Sequence, residues 1–375
     1  MTTRRSLLSL ALAAALPPAF VRHAGASESD RFALGVASGW PQPGGVSLWT
    51  RLVGADLPDA VDVRWEMAQD ESFCDIAARG IAVARSRWAH SVHVDATGLA
   101  PGRWYWYRFA ALGARSMAGR TRTAPAPDAS DVTLDVAVAS CQRWDHGLWA
   151  AWREVADDTA LDLVLFTGDY IYEYPTPPGA QRPRRHDGGW VLTLQQYRDR
   201  YAQYKSEPLL QRAHARAPWI AIWDDHEVDN DYAGLQGRQL QPDFAAQRAA
   251  AYQAWWEHMP LPASAAPGPA GLRITGRCDW GRLARIHALD ARQYRDAQAC
   301  PPHGRGGSNT VLVKDCATIL DARRTLLGAE QERWLADGWA SDGRWNLVAQ
   351  QMLFAPFTWR DAAHADTPGG MVWTD

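Results

Sequence analysis

Four short apolar runs in this chain stop at side chains that can ligate a metal. LDVAVAS breaks at Cys141, LDLVLFTG at Asp169, WIAIW at Asp224 and LARIHAL at Asp290. Runs of this length and β-branched content predict strands buried on both faces. Between the first two, Leu148, Trp149, Trp152 and Val155 recur at helical spacing, and a further helix is predicted over 329–338, before the strand WNLVAQQ. Strands alternating with helices imply a largely parallel sheet covered on both faces. The crevice of such a sheet lies beyond the carboxyl ends of its strands, so the four polar groups converge on one edge.

The third end is the most acidic. WDDHEVDNDYAG places Asp224, Asp225, His226, Glu227, Asp229 and Asp231 within eight residues. Carboxylates gathered in one crevice raise each other's pKa unless a cation offsets their repulsion, so a polyvalent metal is the simplest resolution. Oxygen ligands favour hard cations such as calcium, whereas a thiolate and a phenolate suit a ferric ion or another transition metal. The run is not an EF-hand: counted from Asp229, its twelfth position is Leu240, where a bidentate Glu belongs. Taken alone, Asp225 and Glu227 read as surface carboxylates and Cys141 as a small buried hydrophobe. The parallel placement of Asp169 favours a shared site.

Upstream the style differs. From Phe32 to Thr123, short β-rich runs are separated by turn signals, and WYWYRF alternates Trp104 and Trp106 with Tyr105 and Tyr107. A small all-β sandwich resembling fibronectin type III is predicted over 30–124, an α/β domain over 131–375, and a Pro/Ala-rich linker at 124–130. Residues 1–26 read as a secretory signal: Arg4 and Arg5 precede an apolar stretch from Leu7 to Phe20 that ends at Ala24-Gly25-Ala26. The stretch is too short and Pro-broken for a membrane anchor. Paired arginines point to the twin-Arg export machinery, an ordinary signal with two incidental arginines being the alternative. The expected location is periplasmic or secreted. There, a disulfide between Cys300 and Cys316 is the economical reading of the Gly/Pro-rich loop they flank, leaving Cys74 and Cys278 as ordinary buried thiols. A net charge of −3 with scattered arginines offers no basis for nucleic-acid-specific binding.

SCQ at 140–142, FTGDYIYEY at 166–174, WDDHEVDNDYAG at 223–234, LDARQYRD at 289–296 and LGAEQERWL at 327–335 together resemble the alkaline phosphatase D (PhoD-type) family. FALGVASGWPQPGGVSLWTRL and HSVHVDATGLAPGRWYWYRF resemble that family's amino-terminal domain, so the resemblance runs through the whole mature chain. It implies a four-layer α/β/β/α metallophosphatase sandwich of the calcineurin-like superfamily. The implied protein is a secreted alkaline phosphatase or phosphodiesterase, hydrolysing small-molecule phosphate esters by metal-activated hydroxide with ferric iron and calcium. Carried onto this chain, Cys141, Asp169 and Tyr172 are iron-side ligands, with Asp169 bridging toward calcium. Asp225 and Asn230 are candidates for calcium and phosphate contacts, the choice between Asp224 and Asp225 staying open. His226 is a catalytic acid or phosphate donor, and Arg292 and Tyr294 stabilise charge on the phosphoryl oxygens.

Two departures accompany the resemblance. Trp40 stands where the family usually has Asp in an SGDP turn. The family's late GDxHS-type stretch has no counterpart before GGMVWTD, so the expectation is a family member incomplete at its carboxyl end. That leaves a second expectation from another class, a truncated, non-catalytic exported protein whose sandwich is a binding module.

Overall fold

A computed structural model describes residues 31–268, 271–355 and 370–375; the expected signal segment lies outside them. The amino-terminal part is all β: β1 (Val36–Gln42), β2 (Gly45–Arg51), β3 (Ala60–Ala68), β4 (Ile76–Arg85), β5 (Ser91–Thr97), β6 (Trp104–Ala111), β7 (Ala114–Arg115) and β8 (Gly119–Arg122). Its core lies between two sheets, where Val36, Leu48, Val63, Met67, Val94, Tyr107 and Phe109 meet. In β6 the alternation resolves as read, with Tyr105 and Tyr107 inward and the tryptophans half-buried on the outer face.

Then come β9 (Val136–Ala139), α1 (Ala151–Asp157), β10 (Leu163–Thr167), α2 (Leu194–Lys205), α3 (Pro208–His214), β11 (Trp219–Ile222) and α4 (Phe244–His258). After them follow β12 (Gly276–Trp280), β13 (Ala284–Ala288), β14 (Thr310–Leu312), α5 (Ala329–Asp337), β15 (Trp345–Ala349) and β16 (Met371–Trp373). Helix α1 starts later than its periodicity suggested: Trp149 takes a left-handed φ of 52°, so Leu148 falls outside the helix and is exposed.

The two parts share one sheet. Its order is β5-β2-β1-β11-β10-β9, with β1 parallel to β11 through Gly39 and Trp219. A Cβ on Gly39 would lie 2.4 Å from the Pro260 carbonyl oxygen and 2.6 Å from that of Trp219, so only glycine permits the seam. β9, β10 and β11 are parallel, as expected. The strand ending at Asp290 is not in that sheet; β13 sits between antiparallel β12 and parallel β15. Cover is also uneven, since Val138 on β9 is 67% exposed. Cys300 and Cys316 are joined by a disulfide, with Cα atoms 6.1 Å apart; Cys278 is buried as expected, whereas Cys74 is exposed.

The junction carries a pH dependence. His93 on β5 stacks on Trp256 at 3.9 Å and donates from Nδ1 to the Leu261 carbonyl at 3.0 Å. Burial pushes its imidazole down to about 4. Between pH 6.5 and 4 the unfolded chain binds a proton that the folded one refuses. The stability present above 6.5 is therefore lost as pH falls toward 4. His93→Gln should remove about 3 kcal/mol of that decline. Urea titrations at pH 7 and 4.5 check this, and parallel declines in both proteins would refute it.

Candidate metal centre

Cys141 and Asp169 end β9 and β10 in the same way. Each takes a left-handed φ of 59°, uncommon for a residue with a side chain. The Cys141 amide donates to the Gly168 carbonyl and the Gln142 amide to that of Asp169, both at 3.1 Å, so the two turns are tied to each other. Gly168, at φ 103°, permits the approach of the third strand end: a Cβ there would sit 2.4 Å from the Asp224 Cβ. The turn after β11 closes on itself, the Asp225 carboxylate accepting from the amides of His226 at 2.9 Å and Asp231 at 2.6 Å.

These turns bring ligand atoms of Asp169, Asp225 and His226 within 4.8 Å of one another. Tyr172 donates its hydroxyl to Asp169 Oδ2 at 2.8 Å. Asp169 Oδ1 is buried and has no hydrogen-bond partner among the described residues. Burial first, then Asp225 and, against the pull of His226, Asp224, push the Asp169 carboxyl up to about 8. Burial opposes the charge of Asp225 too, but His226 and Arg292 hold it well below the usual carboxylate range. Burial and the neighbouring Asp169 drive the Tyr172 phenol far upward. Cys141 is exposed as a whole residue, but its thiol lies beside Asp169 and local desolvation there pushes it up to about 11. An orphaned buried carboxylate oxygen among a thiol, a phenol, a second carboxylate and an imidazole is a donor set that a cation fits.

Several contributors escaped the sequence reading. Glu173 is fully buried; one oxygen bonds His226 Nδ1 at 2.7 Å and the other accepts the Asn230 amide at 2.8 Å. Burial opposes protonation of His226, yet Glu173 and then Asp225 raise its pKa well above the ordinary value. Glu227 brackets two strand ends by accepting from the amides of Tyr170 and Asp224. Arg143 lies 5.6 Å from the Tyr172 and Tyr174 ring centroids. In the sequence Glu227 showed only as one acid of the run from Asp224 to Asp231, and Glu173 only as an acid in the aromatic stretch after Asp169. Glu173→Gln should lower the His226 pKa toward its ordinary value, because Glu173 is the largest influence raising it. A pH titration of its ring resonances reads this out, and an unmoved midpoint would sink the assignment.

Other expected residues lie differently. Asn230 is at the cluster's edge, its Nδ2 reaching Asp231 and, at 3.2 Å, Ser308 Oγ. Arg292 is 1% exposed and its donors are taken: Nε by Asp224 at 2.6 Å, Nη1 and Nη2 by Asp375 at 2.6 and 2.8 Å. Asp290 is saturated by the amides of Arg292 and Gln293 and the Gln293 side chain. Tyr294 is half-exposed and lines a separate cleft with Arg273 and Trp334.

Comparison with known proteins extends this geometry. Residues 136–375 match the family model described as PhoD-like phosphatase, and residues 17–125 match PhoD-like phosphatase, N-terminal domain. Alkaline phosphatase D of Bacillus subtilis (strain 168) is 42% identical over 345 residues, covering 88% of this chain. The chain spans 58% of that relative's length. A solved structure of PhoD is 41% identical and superposes with a TM-score of 0.84, over 92% of this chain and 66% of the other.

Proposed function

This chain belongs to the PhoD-like phosphatase family, and from that premise we propose that its strand-end cluster hydrolyses phosphate esters, both mono- and diesters, with ferric iron and calcium. The observation that carries the reading is the buried, unpartnered Asp169 Oδ1 amid groups that cannot share a crevice comfortably without a cation. Cys141, Asp169 and Tyr172 would hold the transition metal, their sulfur and phenol donors matching its softer character. Asp169, Asp225 and Asn230 would hold calcium through oxygen. When bound, the ions supply charge that polarises the phosphoryl group and acidifies water.

The chain's own residues do the rest. Glu173 fixes the imidazole of His226 through Nδ1, which leaves Nε2 to give a proton to a phosphoryl or leaving-group oxygen. Glu227 holds the Asp169 and Asp224 turns in register. Arg292 acts as a clamp on carboxylates, keeping the turn after β11 ionised and in place. The same buried chemistry argues against a non-catalytic binding module, which would leave these groups without a purpose. Export is part of the proposal, resting on Arg4, Arg5 and the apolar stretch after them. No helix among the described residues is long and apolar enough to cross a membrane.

The test is p-nitrophenol release from mono- and bis-(p-nitrophenyl) phosphate at alkaline pH, by residues 27–375. Chelation should abolish turnover, and ferric iron with calcium should restore it together. A folded chain inactive with every metal pair would refute the proposal.

A further inference from the structure

A second polar cleft lies at the opposite edge of the catalytic strands. Thr159, just before β10, and Arg216, just before β11, line a cavity of about 400 Å³. Asp169 and Asp224 follow the carboxyl ends of the same strands, so the cleft stands at least a strand length, roughly 16 Å, from the metal centre. Its remaining wall comes from the amino-terminal part, with Trp106 on β6, Met117 just before β8 and Arg120 on β8, and from Arg212 on α3. The Arg120 amide donates to the Ala215 carbonyl at 2.7 Å, fixing β8 against the end of α3.

The charge here is unbalanced. Three guanidiniums line the cleft against one carboxylate, Glu71. Arg212 is paired with Asp157. Neither Arg120 nor Arg216 forms an ion pair among the described residues: Arg216 spends only Nε, on the Asp158 carbonyl at 2.7 Å, and Arg120 only a long contact of 3.4 Å to the Thr159 carbonyl. Asp162, whose charge also reaches Arg120, is taken by Arg122. Arg120 is held face-on to Trp104, 3.3 Å from the ring centroid, so it cannot turn freely to solvent. Partial burial, followed by the neighbouring Arg216 charge, pushes its guanidinium down to about 10. Like charges held together without a counter-ion are costly, and a bound anion would relieve them.

We propose that this cleft is a binding site for a phosphate-bearing anion, gripped between the Arg120 and Arg216 forks. Two forks converging from separate elements suit a tetrahedral oxyanion, whose several acceptor oxygens can meet both at once, better than a planar carboxylate. The anion's source is either free phosphate or one unit of a phosphodiester chain, with Trp106 and Met117 against its organic part. The site does not depend on the proposed hydrolysis.

Isothermal titration of the chelator-treated full chain tests it, because the metal-free catalytic cluster is carboxylate-rich and repels anions. The probes are inorganic phosphate and a base-free phosphodiester hexamer. One saturable site per chain is expected, at least tenfold weaker in the doubly substituted Arg120→Gln, Arg216→Gln protein. Tenfold tighter binding of the hexamer than of phosphate assigns a phosphodiester chain; equal binding assigns free phosphate. Absence of saturable binding to the unmodified chain, or equal binding by the Gln variant, overturns the site. If the Gln variant fails to fold, the Arg120→Lys, Arg216→Lys pair decides: fivefold weakening from loss of the forks supports the proposal, and unchanged affinity overturns it.

Discussion

Asp169→Asn should lower kcat/KM for p-nitrophenyl phosphate by about a thousandfold or more, some 4 kcal/mol of transition-state stabilisation. The substitution keeps volume and removes the one carboxylate that touches Tyr172, neighbours the Cys141 thiol and shares the ligand cluster with Asp225 and His226. A second readout separates this from general damage. The folded chain holds the Asp169 proton up to about pH 8, whereas the unfolded chain releases it near 4. Metal-free stability therefore falls as pH rises through that window. The Asn variant should escape that fall and be the more stable metal-free protein at pH 8, while losing stabilisation by added metal. Equal activity, or a variant less stable at pH 8 without metal, would remove Asp169 from the centre of the reading.

Arg292→Met should cost about 3–5 kcal/mol of stability at pH 8, the range for stripping one partner from a buried ion pair. Arg292 is surrounded by Asp224, Asp225 and Asp375, and among the described residues Arg295 is the only other cation on Asp375. Burial already pushes Asp224 up to about 6 even with Arg292 pulling the other way. Without the guanidinium its ionised form is disfavoured further, so the loss should shrink between pH 8 and 5 as protonation removes the unpaired charge. Arg292→Lys should lose less, because it keeps the charge without the fork. Urea midpoints without substrate measure all three, and a loss under about 0.5 kcal/mol for the Met variant would contradict the clamp.

Legibility followed locality. β9, β10, β11, β13 and β15 all fall within the apolar runs that announced them; for β10, β11 and β13 the reason is burial along nearly the whole strand, whereas β9 and β15 keep apolar side chains such as Val138 and Trp345 exposed. Asp169, Asp225 and His226 stood out because each follows such a run. Glu173 and Glu227 did not, although they hold the imidazole and the strand-end amides; a buried acid and a solvated acid look alike until their partners are known. Arg292 looked available because only folding brings Asp375, 83 residues later, onto its guanidinium.

The same divide separates what the chain's order determined from what folding decided. Apolar period, turn residues and the polar group after each strand are local properties, so the alternation of elements, the metal-suited edge and the family resemblance could be read directly. Which strands become neighbours depends on contacts between distant segments. The seam between Gly39 and Trp219, the transfer of Asp290 to the sheet of β12, β13 and β15, and the meeting of Arg120 with Arg216 arose only there. Each joins residues far apart in sequence, and the free energy that unites them lies in burial and electrostatics shared across the fold.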